Sequence, residues 1–156
     1  MIIYHKGDLL KLLPQKSFFN LLDLAVFDPD KKIDGRPILI ATKTITDDDQ
    51  IMQVHPWAYP GTILEEAVLQ ACQILALTLY EDLKDKLPAF KKSIRSENYF
   101  SAPVIIGDVL TIEVVLINRK RNVFYFNGNI IKHNKQKVLT VTDITAMVFP
   151  VKTPSQ

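Results

Sequence analysis

The longest apolar signal in the chain has helical period. From Ala67 to Tyr80 no residue is charged; Ala67, Val68, Ala71, Leu75 and Leu79 mark one face, and Leu69, Ile74 and Leu77 make the other side apolar too. A helix that is apolar all round needs protein on every side. Tyr59-Pro60-Gly61 supplies a turn before it, and Thr62 followed by Glu65 has the spacing of a capping box. A long buried helix is therefore predicted from this turn to Tyr80.

Around it the pattern is that of strands. Residues 7–13 read as a short amphipathic helical turn stopped by Pro14, and 18–27 as a strand ended by the turn signal Asp28-Pro29. After a charged turn closing at Gly35, a second strand is expected over 38–46. Asp47, Asp48 and Asp49 then mark a solvated loop, and 51–54 lead into the helix. Beyond the helix, 81–87 give way to the stop signal Pro88, and 94–100 read as strand. Gly107-Asp108 breaks the run before 109–118, where Leu110, Ile112, Val114 and Leu116 alternate with Thr111 and Glu113, the period of a half-buried strand. Asn118 to Asn122 and His133 to Gln136 are polar turns separating 123–132 and 138–149. Short turns between strands imply antiparallel pairing. The order predicts an α+β domain, one helix packed on an antiparallel sheet.

The length suits a single domain, residues 1–156 with a core over about 12–149. A formal charge of +2 gives no reason to expect nucleic acid. Met1 to Asp8 lacks the basic and apolar regions of a signal peptide, and the longest uncharged run falls short of the roughly 18–20 residues of a membrane span. A soluble, cytoplasmic protein with no membrane contact is expected. The single cysteine, Cys72, lies within the helix and reads as a small packing residue.

Two polar residues interrupt the apolar helix near its start, Glu66 and, one turn later, Gln70. A carboxylate at the edge of such a helix loses solvation, which makes it a candidate proton donor near neutrality. Gln70 reads as an orienting amide. His55 lies six residues before Gly61 in an aromatic-rich loop with Trp57 and Tyr59, while His5 and His133 fall at surface positions.

Three groups of residues together resemble the β-hydroxyacyl-(acyl carrier protein) dehydratases, the FabZ/FabA-like hot-dog family. Leu13-Pro14 and Phe19-Asn20-Leu21-Leu22-Asp23 resemble the first motif. Pro60-Gly61, Glu66-Ala67 and Gln70 keep the spacing of the second, and Phe100-Ser101-Ala102-Pro103-Val104-Ile105-Ile106-Gly107-Asp108 matches the third. The segment between His55 and Pro60-Gly61 is three residues shorter than the family pattern.

The resemblance implies a sheet curled around the helix and a lyase that removes water from (3R)-3-hydroxyacyl thioesters. It implies His55 as base, Glu66 as the acid for the departing hydroxyl, and the Gly61 N–H as donor to the thioester oxygen. Trp57, Tyr59, Gln70 and Phe100 would contact substrate. The substrate would ride on the phosphopantetheine of acyl carrier protein or coenzyme A, with no cofactor or metal, its acyl chain in a tunnel along the helix. The resemblance also implies a homodimer, or a hexamer built as a trimer of dimers, in which the His55 and the Glu66 of one site come from different subunits. Other readings stand beside these. Glu66 also suits a first-turn acid favoured by the helix dipole, Trp57 and Tyr59 suit packing over the turn, and Tyr99 and Phe100 suit strand core. Lys91, Lys92, Arg95, Arg119, Lys120 and Arg121 suit a solvated surface or a patch that steers the acidic carrier protein. A hot-dog thioesterase and a non-catalytic acyl-binding module are the alternative functions.

Overall fold

The computed structural model describes residues 1–13, 19–83, 86–92 and 103–150. Its elements are β1 (Ile2–His5), α1 (Lys6–Leu12), β2 (Leu24–Ile33), β3 (Arg36–Thr44), α2 (Gln50–Val54), α3 (Gly61–Leu79), a 3-10 turn at Glu81–Leu83, β4 (Lys86–Lys92), β5 (Val109–Lys120), β6 (Val123–Lys132) and β7 (Lys137–Pro150). The strands form one seven-stranded sheet in the order β1-β2-β3-β5-β6-β7-β4. Every neighbouring pair is antiparallel.

The sheet wraps α3, whose main neighbours are β5, β3 and β6. Leu110, Ile112, Val114 and Leu116 of β5 alternate inward as their period predicts, and Phe124, Phe126 and Ile130 do the same from β6. Val68, Ala71, Cys72, Ile74 and Leu75 meet them from the helix, each fully buried. By length and apolarity alone α3 could cross a membrane. Its place at the centre of the sheet accounts for that composition. Cys72 packs as predicted, and burial pushes its thiol pKa well up.

At Gly128 of β6 the helix comes so close that an added β-carbon would collide with the Val68 side chain. Glycine permits that approach, and it seats the stretch of α3 that carries Glu66 and Gln70 directly on the sheet.

Several local expectations give way to longer-range structure. Asp28-Pro29 does not turn the chain: it lies in the irregular part of β2, where the register against β3 shifts between Phe27 and Lys32. The turn follows at Asp34 and Gly35, which both have positive φ, 50° and 74°. Residues 2–5, unassigned from sequence, pair with β2 as an edge strand. Pro88 is not a stop but lies within β4, an edge strand, where proline is tolerated. The strand expected over 94–100 falls outside the described residues. Arg119 lies in β5 rather than in the turn, which is made at Arg121 with φ 54°. Its guanidinium donates to both carboxylate oxygens of Asp82, at 3.3 and 2.9 Å, and stacks 4.2 Å over the Tyr80 ring. It therefore fastens the end of the helix to the sheet.

Candidate active site

The first turn of α3 is built without side-chain caps. Pro60 is the N-cap, and its carbonyl accepts from the N–H groups of Ile63 and Leu64, both at 3.1 Å. Thr62 and Glu65 thus lie inside the helix and do not form the expected capping box. Pro60 offers no side-chain acceptor, the N–H of Gly61 has none within the helix, and no acidic residue stands in the first turn to offset the positive end of the dipole. This end of α3 favours a negatively charged oxygen. Glu66 belongs to the second turn, which removes the first-turn reading of its charge.

His55 reaches this end of the helix from the other side. Asp49 starts α2 by accepting from the Ile51 N–H, and His55 closes it as C-cap, its own N–H donating to the Ile51 carbonyl at 2.9 Å. His55 lines a cavity of about 340 Å3 together with Phe19, Val54, Pro60, Thr62 and Ile63. Glu66 stands one turn beyond Thr62 and Ile63 on the same helix face, half-buried, in hydrogen-bond contact with Gln70 (Nε2 to Oε1, 3.4 Å).

Gln70 is fully buried and ties that face to the segment before β2. Its Oε1 accepts from the Leu21 N–H at 3.0 Å, and its Nε2 donates to the Phe19 carbonyl as well as to Glu66. The amide thereby holds Phe19 where it forms a wall of the cavity. In the sequence Phe19 belongs to an apolar run and to the first of the family-like motifs, and nothing local marks it as a cavity residue.

The aromatic loop residues divide. Trp57 is 88% exposed and does not line the cavity. Tyr59 is 4% exposed and belongs to the core; its N–H donates to the Val104 carbonyl at 2.7 Å. Burial, then the charges of Asp49 and Asp23, push its phenol pKa up. In this chain it acts as packing behind the turn rather than as cavity lining. Phe100 and Tyr99 lie outside the described residues. The acidic run 47–49 is more than solvated loop: Asp49 pairs with Lys43 at 2.8 Å, with both side chains 10% exposed. Among the described residues, no three His, Cys, Asp or Glu side chains converge as metal ligands would.

Residues 13–142 match the family model described as a FabA-like domain. A 3-hydroxyacyl-[acyl-carrier-protein] dehydratase FabZ of Neisseria meningitidis is 34% identical over 126 residues, covering 78% of this chain and 79% of that one. The protein of the same name from Syntrophotalea carbinolica is 30% identical over 125 residues, covering 78% and 80%. Among solved structures, the dehydratase heterocomplex ApeI:P from Xenorhabdus doucetiae aligns with a TM-score of 0.63 over 92% of this chain and 91% of that chain, at 15% identity. A hypothetical thioesterase from Streptococcus pneumoniae, with coenzyme A, gives 0.56 over 83% and 88%, also at 15% identity. The structural likenesses establish the hot-dog architecture, and the sequence matches establish kinship: the chain belongs to the FabA-like family.

Proposed function

We infer that the chain is a lyase that dehydrates (3R)-3-hydroxyacyl thioesters to trans-2-enoyl thioesters, with the acyl group carried on acyl carrier protein in fatty-acid or related acyl-chain biosynthesis. The observation that carries this reading is the cavity shared by His55 and the first turn of α3, with Glu66 one turn further along the same face. The His55 imidazole takes the proton from the carbon next to the thioester carbonyl. That electron pair becomes the new carbon–carbon double bond as the bond to the 3-hydroxyl breaks, and Glu66 supplies the proton that turns the hydroxyl into water. Charge that builds on the thioester oxygen meets the N–H of Gly61 at the positive helix end. The elimination moves only protons and hydroxide, so it calls for no redox or group-transfer cofactor.

A second copy of the chain suits the surface beside the cavity, where Val54 is 73% and Trp57 88% exposed. The family resemblance adds the rest of this reading: a homodimer, alone or within a trimer of dimers, in which each site takes His55 from one chain and Glu66 from the other, working in the cytoplasm on a soluble carrier. Formation of enoyl thioester by the purified protein tests the assignment. His55→Ala and Glu66→Gln are each expected to lower the rate about 10²–10⁴-fold, the usual weight of a general acid or base. Full activity in either variant removes that residue from the mechanism. Release of free thiol with no enoyl product would make the protein a thioesterase instead.

A further inference from the structure

Lys43 occupies a position that the strand pattern reserves for apolar residues. Leu39, Ala41 and Lys43 alternate onto the helix-facing side of β3, and all are buried, Lys43 to 8%. Lys132 repeats this at the end of β6, also at 8%. The two lysines stand in one row across the sheet, since Leu110 of β5 pairs with Lys43 on one side and Lys132 on the other. An ammonium on a core face is tolerated only when paired. Lys43 pairs with Asp49 and Lys132 with Asp108, each at 2.8 Å.

Both carboxylates lie at the roots of the loops that carry the candidate site. Asp49 caps α2, which ends in His55. Asp108 closes the turn that starts at Ile105, and the carbonyl of the preceding Val104 holds the Tyr59 N–H next to Pro60 and Gly61. Lys132 also donates to the Pro103 carbonyl at 2.6 Å. The two loops are joined by backbone bonds, Ile45 N–H to the Asp108 carbonyl and Gly107 N–H to the Ile45 carbonyl, both 2.9 Å. Within α2 itself only Met52 is buried, with Ile51 half-buried against the core.

We propose that this lysine row sets His55 against the start of α3, with Lys43 and Asp49 as positioning residues for His55. The catalytic part of this proposal rests on the reading of His55 as the base. Asp49→Asn keeps an oxygen for the cap but leaves Lys43 charged without its counter-ion, and Lys43→Met does the reverse. Each is expected to lower kcat about tenfold or more while KM changes less than about threefold, since small displacements of a catalytic group cost rate steeply. The double variant should fall no further than the worse single, because both act on one pair. In the unliganded protein, the imidazole NMR signals of His55 should broaden or split in Asp49→Asn, while those of His5 stay in place. Leu139→Ala, a core truncation in β7, should lower Tm without moving the His55 signals. Unchanged His55 signals and kcat in Asp49→Asn, or single effects that multiply in the double variant, would overturn the proposal. The NMR measurement needs no turnover, so it reads the positioning even if the chain proves not to be a dehydratase.

Discussion

Gly128 on β6 and Val68 on α3 approach so closely that glycine is the one residue that fits without displacement. Gly128→Ala is expected to lower stability by about 1–3 kcal/mol, the range for overpacking a filled core. Adding Val68→Ala should recover part of the loss by making room for the new methyl. Thermal melts of the two variants check this. Recovery in the double variant identifies the helix–sheet contact as the cause, whereas independent losses would place it elsewhere.

Gln70 joins α3 to the wall of the cavity through Leu21 and Phe19. Gln70→Leu leaves a buried N–H and a carbonyl without that partner, a loss on the order of 2–4 kcal/mol. Because Phe19 borders the cavity, KM for the acyl thioester should rise more than kcat falls. Steady-state kinetics well below the melting temperature separate the two effects.

The Lys132–Asp108 pair gives stability a defined acid dependence. Burial pushes the Asp108 carboxyl up, but hydrogen bonds from Lys132 and the Ile105 N–H, with the Lys132 charge, hold it below its ordinary 3.8. A carboxyl lowered by folding contributes fully above its unfolded value and loses that contribution as pH falls through the folded one. The Tm difference between the wild type and Lys132→Met should therefore be full from neutrality down to about pH 4 and shrink below it. A difference that stays constant through the acid range would show that the pair contributes by packing alone.

Much of this architecture is written in local pattern. The strands over 109–118, 123–132 and 138–149 and the central helix announce themselves by period, because each has one face or one whole surface to bury. Distant partners override what remained obscure. Asp28-Pro29 has the chemistry of a turn, yet the same chemistry suits an irregular strand segment once β3 lies alongside. Arg119 sits among polar neighbours as turn residues do, and its pairing with Asp82 and stacking on Tyr80, both far away in sequence, could not be read from them. Lys43 shows inward periodicity, but nothing near it in β3 announces Asp49 as its counter-ion. Around the candidate site, Glu66 and Gln70 stand out in the sequence because they break an apolar helix. Phe19 does not, since a cavity wall and a core residue look alike in sequence. Tyr59 misled for the reverse reason: an aromatic beside a Pro-Gly turn resembles a binding residue, and here it fills the core.

Cys72 turns the central helix into its own reporter. It is the one thiol in the chain, it is wholly enclosed, and burial keeps it in the unreactive protonated form. A thiol reagent can reach it only in molecules whose helix has left the sheet, so the rate of labelling under native conditions measures how often the core opens. Gly128→Ala should quicken that rate in proportion to its loss of stability, while a substitution confined to exposed Trp57 should leave it unchanged.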